Sequence, residues 1–228
     1  MGTTKNQTWT DSSYRFVGDV HGKFNSYKKL VKDVPRSIQV GDMGVGFFKF
    51  KGGELKPDIN PPFDAMERGD HRYIRGNHDN PSVCKQQKHW IPDGTYLEEY
   101  KMMLVGGATS TDKIYRTQGI DWWSNEELSE KELDVILEQY KILKPNIMIT
   151  HEAPQNIADQ ILQAFNKTKI NNYSNTRVFF ERMLYYYTPK LWIFGHWHQS
   201  LSFVQNSTHF ICLNELEHTD IDLNDYKE

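Results

Sequence analysis

The chain has 228 residues, of which 38% are hydrophobic and 25% charged, with a formal net charge of -3. That length suits one domain with a substantial core, the composition excludes a disordered chain, and the acidic balance excludes a broadly basic nucleic-acid surface. A mean hydropathy of -0.70 and the lack of any apolar run near the ~18 residues of a membrane span give no membrane signal.

Met1 to Thr10 is polar and lacks the apolar core of a secretion signal. Tyr14 to Val17 reads as a short strand, followed by a helix over Phe24 to Lys32 that turns Leu30 and Val31 inward. Ser37 to Val40 is a second strand. Met43 to Pro62, rich in Gly, Phe, Lys and Pro, reads as a long surface loop, and Phe47-Phe48-Lys49-Phe50 within it as a candidate lid. A short helix over Pro62 to Arg68 leads to a strand at His71 to Ile74. Beyond a loop holding Pro81 and Pro92, Tyr96 to Glu98 and Met102 to Val105 form a hairpin.

Asn125 to Leu143 carries the clearest helical pattern, with Leu133, Ile136, Leu137 and Tyr140 on one stripe and Ser124 with Glu127 as a capping box. Pro145 ends it, and a buried-type strand follows at Ile147 to Ile149. Helices over Gln155 to Phe165 and Thr176 to Tyr187 precede a strand at Leu191 to Phe194, and Leu201 to Val204 and Phe210 to Leu213 close the pattern. The acidic stretch from Glu215 to Glu228 reads as a solvated face or loose terminus. Cys84 and Cys212 have no paired spacing, which argues against a disulfide framework and for a reducing, cytoplasmic interior. No linker or repeat divides the chain, so residues 1–228 form a single domain of α/β class.

Five short segments end in metal-binding side chains. They are Gly18-Asp19-Val20-His21-Gly22, Gly41-Asp42, Gly76-Asn77-His78-Asp79, Thr150-His151 and Gly195-His196-Trp197-His198. Each follows a strand-like run, so the ligands gather at one sheet edge, where open α/β sheets place their sites. Asp19-x-His21 and His196-x-His198 each set two side chains on one side of an extended segment. Carboxylate and imidazole without thiolate favour Mn, Fe or Zn over Ca or Mg. Asp42, between the two pairs, is the natural bridging carboxylate. Two divalent ions, two aspartates and a bridging hydroxide leave a net charge of about +1, which attracts phosphate. One Asp-x-His is an ordinary loop feature, and Gly-Asn-His-Asp also suits a turn. Five such segments in order are not coincidence.

These motifs, running from Gly18 to His198, resemble those of the calcineurin-like metallophosphoesterases. The resemblance implies a four-layer α-β-β-α sandwich of two mixed β-sheets flanked by helices. It implies two divalent ions, Mn²⁺ first and Fe or Zn next, and attack on a phosphate ester, possibly a nucleotide, by a bridging hydroxide. One ion would be held by Asp19, His21, Asp42 and His198, the other by Asp42, Asn77, His151 and His196. His78 would protonate the leaving oxygen and Asp79 would orient it. The family's protein phosphatases continue Gly-Asp as Gly-Asp-x-x-Asp-Arg-Gly, whereas this chain reads Gly41-Asp42-Met43-Gly44-Val45-Gly46. That departure shifts expectation from Ser/Thr-protein dephosphorylation toward a diesterase or small-molecule phosphatase. It leaves Arg75, Arg116 and Arg177 as candidate phosphate cations. A nuclease or a metal-bearing scaffold of the same fold are the alternatives. Trp122 and Trp123 fit core packing or a helix staple better than a base-stacking wall, and Gly106-Gly107-Ala108-Thr109-Ser110 fits a tight turn better than a phosphate loop.

Overall fold

A computed structural model describes residues 9–58, 63–165 and 173–227. In chain order its strands are β1 (Ser13–Val17), β2 (Arg36–Gln39), β3 (Phe47–Lys51), β4 (Glu54–Asp58), β5 (Asp70–Tyr73) and β6 (Thr95–Leu97). They continue with β7 (Met102–Val105), β8 (Ile147–Thr150), β9 (Leu191–Phe194), β10 (Leu201–Gln205), β11 (Thr208–Cys212) and β12 (His218–Asp222). The α-helices are α1 (Phe24–Val31), α2 (Phe63–Met66), α3 (Pro81–Cys84), α4 (Glu130–Leu143), α5 (Gln155–Ala164) and α6 (Asn175–Tyr186).

Two sheets stack in the order the resemblance implies. The smaller runs β12-β1-β2-β5 and the larger β10-β11-β9-β8-β7-β6. Strand alternation makes the layers. Phe16, Ile38, Leu104, Ile149 and Ile193 meet between the sheets. Their neighbours Met103, Val105, Met148, Trp192 and Phe194 pack outward against α4, α5 and α6. On the other flank Val17 and Tyr73 pack against Tyr27, Val31 and Met66 of α1 and α2. Leu30 lies only half-buried at the margin of that layer. β7, β8 and β9 are covered on both faces, which is why they read as unbroken apolar runs.

β1, β2 and β5 are mutually parallel, as are β7, β8, β9 and β11. Their carboxyl ends share one rim of the sandwich. Antiparallel strands close the edges, β12 on the small sheet and β6 and β10 on the large one.

Three expectations are corrected. The stretch from Met43 is no surface loop. Met43 and Val45 are buried, and β3 pairs with β4 as a hairpin turning at Gly52-Gly53; residues 59–62 at its end, Pro62 included, lie outside the described residues, as do residues 1–8. The long helix starts at Glu130, with the capping box made by Ser129 and Glu132 rather than Ser124 and Glu127. Glu127 instead accepts from Ser174 Oγ and Thr176 N at the start of α6. The acidic C-terminal stretch is not loose, because β12 pairs with β1 along its whole length, and Arg15 ion-pairs with Asp220 at 2.6 Å.

Candidate metal centre

All five motif segments end at that common rim. Asp19 and His21 follow β1, Asp42 follows β2, Gly76 to Asp79 follow β5, His151 follows β8, and His196 and His198 follow β9. The turns are laced together by the backbone. Val20 and His21 N–H donate to the Asp42 carbonyl, Gly195 N–H to the His151 carbonyl, and His196 N–H to Asp19 Oδ1. The approach is so close that a Cβ on Gly41 would strike the His151 ring, and one on Gly76 would strike Asp42 Oδ1. Glycine before the ligand is therefore a matter of space.

The ligand atoms form three overlapping groups, of which His21, Asp42 and His78 are one and link the other two. Asp19, His21 and His198 each offer one atom within 4.8 Å of the others, and so do Asp42, His151 and His196. Asp42 faces both groups. Its Oδ2 is 3.8 Å from His21 Nε2, and its Oδ1 is 3.3 Å from His151 Nε2. Asn77 Oδ1 lies 3.1 Å from His151 Nε2. Its amide is oriented by Nδ2 donating to Ser110 Oγ, which in turn donates to Glu126. Gly106 to Ser110 is an irregular segment, not the tight turn expected, and it brings Ser110 behind Asn77.

Nitrogen and oxygen ligand atoms converge on common points, as a cation site requires. His151 Nδ1 is 2.9 Å from the Val40 carbonyl, and its Nε2 faces two oxygens, Asn77 Oδ1 and Asp42 Oδ1. His21 Nε2 and His198 Nε2 stand 3.0 Å apart. Asp19 Oδ2 is buried and accepts no well-formed hydrogen bond, though His198 Nε2 is 2.9 Å away. Electrostatics agree. Burial lowers the His151 pKa, yet Asp42 and Asp19 raise it to about 10. Burial likewise raises Asp19, but the neighbouring imidazoles of His198 and His21 bring it down to about 2. The pocket holds its carboxylates ionised and attracts positive charge. The chemistry and convergence of these residues fit a pair of divalent ions.

His78 lies beside this centre, its backbone N–H donating to Asp42 Oδ1 at 2.6 Å. Its ring stacks on Phe47 at 5.1 Å and 8°, and Trp123 meets Phe47 edge-on at 5.1 Å. Arg116 Nη2 approaches His78 Nε2 to 2.8 Å. Burial lowers the His78 pKa to about 4, with Asp42 opposing and Arg116 and the neighbouring imidazoles assisting. Asp79 makes contacts other than the orienting one that the resemblance implies. Its carboxylate accepts from the backbone N–H groups of Met43, Gly44, Val45 and Gly76, and so fastens the Asp42 turn to the Asn77 turn. Of the two positions where the protein phosphatases carry Asp-Arg, Val45 here donates its N–H to Asp79.

Of the three arginines, one reaches the site. Arg75 is buried, pairs with Asp93 at 2.8 Å and donates to the Glu126 carbonyl. Arg177 is buried beneath α6 and pairs with Glu152 at 3.0 Å. Neither hydrogen-bonds to a ligand side chain among the described residues; Arg116 contacts His78. Glu152 is a residue that motif reading missed. It is fully buried, accepts from Trp197 Nε1 and Ala153 N, and lies 3.5 Å from His196 Nε2, where it fixes that ring. An acidic residue directly after an all-buried strand and its ligand histidine was the available signal. Cys84 and Cys212 are separate, buried thiols.

Residues 14–200 match the model of the calcineurin-like phosphoesterase family. Among solved structures, a candidate 5′-nucleotidase from Staphylococcus aureus, in complex with α-ketoglutarate, superposes with a TM-score of 0.50 at 12% identity over 89% of this chain. The chain spans about half (48%) of that protein's length, and at this identity the likeness concerns the fold. An archaeal phosphodiesterase superposes with a TM-score of 0.40 at 11% identity, over 92% of this chain and 98% of its own. A conserved Streptococcus pneumoniae protein described as a phosphoesterase gives 0.38 at 12% identity, over 94% of this chain and 86% of its own. No curated protein matches the chain in sequence. Among the described residues no helix is long and apolar enough to cross a membrane.

Proposed function

We propose that this chain, which belongs to the calcineurin-like phosphoesterase family and is a phosphoester hydrolase, cleaves small phosphodiesters or phosphomonoesters with two divalent metal ions. One observation carries the reading. The two oxygens of buried Asp42 face two separate groups of lone-pair donors, so one carboxylate can serve both ions. Asp19, His21 and His198 would hold the first ion with Asp42, and Asn77, His151 and His196 the second. Such a pair supplies a nucleophilic water near neutral pH and positive charge for the phosphate; manganese, iron and zinc all suit these donors.

The chain's own residues do the rest. Glu152 and Ser110 fix the rings and amides that ligate. Asp79 locks two ligand turns together. His78 has a ring nitrogen within 4.8 Å of ligand atoms of His21 and Asp42, beside both metal groups, and it serves the leaving oxygen. Phe47 and Trp123 give the pocket an aromatic wall that accepts a nucleobase or aryl group, so nucleotides belong among the substrates. The region where Asp-Arg would stand for a phosphoprotein substrate holds Asp79 instead.

The test compares p-nitrophenyl phosphate, its bis ester and an alkyl phosphate, with Mn²⁺, Fe²⁺ or Zn²⁺ added. His78→Ala should slow the alkyl ester about 100-fold and leave metal content unchanged. Hydrolysis of none of the three by metal-loaded wild-type protein would refute the reading in favour of a scaffold.

A further inference from the structure

A second cavity lies at the end of the sandwich away from the metal rim, where β5 and β6, the edge strands of the two sheets, come together. We infer that it binds a small quaternary ammonium ion. The inference stands apart from the hydrolase reading and does not depend on it.

The cavity measures about 290 Å³, which suits a small ligand. Tyr14, Ser37 and Asp70 belong to the starts of β1, β2 and β5, and the lining continues from Leu97 into the 3₁₀ turn Glu98–Tyr100. Its inner wall is largely apolar. Tyr14 and Tyr100 are each 7% exposed, their rings meet edge to face at 5.7 Å, and Ile38 and Ile91 lie buried in the same wall. Its mouth is acidic. Asp70, Glu98 and Glu99 are exposed there against a single arginine, Arg72, which pairs with Asp70 at 2.7 Å. Glu98 and Glu99 have no ion pair among the described residues, so the mouth keeps a surplus of two negative charges. Arg36, 5.7 Å over the Tyr14 ring, is matched by Asp11 at 3.7 Å.

The two parts of the lining select the ligand together. The carboxylates draw a cation, whereas the inner wall has little to replace its water. The Ser37 hydroxyl is engaged with His71 Nδ1 at 2.9 Å, and the Tyr100 hydroxyl donates to the Asp11 carbonyl at 3.1 Å. Burial, then Tyr100 and Asp70, push the Tyr14 pKa up to about 12, so this phenol stays neutral. A metal ion or a primary ammonium holds its water through strong polar contacts and would lose more there than it gains. A methylated nitrogen has no N–H to satisfy. Its methyl groups bury against Ile38 and Ile91, while its charge is drawn by tyrosine rings and carboxylates at once.

Calorimetric titration of the Mn²⁺-loaded 228-residue chain at constant KCl tests the site. Choline is the cation, 3,3-dimethylbutan-1-ol its uncharged isostere, and ethanolamine its primary-ammonium counterpart. Choline should bind about 10-fold more tightly than either. Glu98→Gln combined with Glu99→Gln, both at exposed positions, should weaken choline about 10-fold and leave the alcohol unchanged. Equal affinities for choline and the alcohol would overturn the inference. Choline binding indifferent to the double substitution, as on the Phe47 and Trp123 wall, would do the same, and so would no saturation by about 50 mM choline. A trimethyllysine peptide binding more tightly than choline would assign the cavity to a protein tail and overturn the small-ion class.

Discussion

Replacing Arg177 by methionine isolates a buried charge that supports the centre from behind. Glu152 and Arg177 are 0% and 2% exposed and meet at 3.0 Å. Trp197 Nε1 and the Ala153 N–H share Glu152 Oε1, so the arginine is the principal partner of Oε2, with His196 Nε2 3.5 Å away. Burial by itself raises the Glu152 pKa, but His196 and Arg177 hold it below its ordinary 4.5. Arg177→Met keeps an apolar stem and removes the charge, together with the guanidinium that lies 5.6 Å over the Trp197 ring. Breaking one side of a buried pair costs roughly 3–5 kcal/mol, which lowers Tm by about 10 °C in a domain of this size.

The sign with pH follows from linkage. In wild type a depressed carboxylate contributes stability that is full above about pH 4.5 and lost as pH falls through the folded value. In the variant burial dominates, the folded pKa rises above the unfolded one, and stability falls as pH rises. The deficit of the variant should therefore be larger at pH 7.5 than at pH 5. Thermal melts of chelator-treated protein at both pH values measure it, and Glu152→Gln combined with Arg177→Met should recover part of the loss. A deficit independent of pH, or a shift under about 2 °C, would show that the pair does not hold an ionised carboxylate.

Two further outcomes are expected. Asp42→Asn should reduce bound metal from two ions per chain to one or none, read by elemental analysis, because Asp42 is the carboxylate facing both donor groups; undiminished stoichiometry would count against the bridging role. Ser129→Ala should cost about 1 kcal/mol. Its hydrogen bonds keep Glu132 below the ordinary carboxylate range. The stabilisation is present above that range and lost in acid, so the variant's deficit should shrink in melts below about pH 4.

The ligand segments were legible because each chemical motif marks a strand end, and strand ends gather without knowledge of the sheet order. Helix α4 was legible through Leu133, Ile136, Leu137 and Tyr140, all of them buried. Its start was not. Ser124 with Glu127 and Ser129 with Glu132 have the same spacing, and the choice between them is made far away, where Ser174 and Thr176 take Glu127 for the cap of α6. The β3–β4 hairpin did carry a signal, Phe-Lys alternation up to Gly52-Gly53, which the abundance of glycine and proline obscured. β12 carried none. His218 to Asp222 is polar, and its place is set by backbone pairing with β1, to which composition is blind. Arg116 and Arg177 look alike in the sequence. Only the fold separates an arginine beside His78 from one buried against Glu152.

The backbone of the centre reveals why its ligands depend on the whole sandwich. His21, Asp42, His196 and His198 adopt φ values of 48°, 58°, 66° and 49°, in the left-handed region that residues with a Cβ avoid. Each such residue costs of order 1 kcal/mol, and four at one rim form a strained cluster that no local segment would adopt alone. The surrounding lattice holds it: Asp79 gathers four backbone N–H groups from two turns, and Asp42 takes the His78 N–H. Strain held in this way is already spent when ions arrive. Binding then needs little rearrangement, and positive charge there would relieve the repulsion by which Asp42 raises the Asp19 pKa, now countered by imidazoles. The same cations that would activate water should therefore also stabilise the fold by mass action, so metal content and thermal stability are two readings of one set of residues.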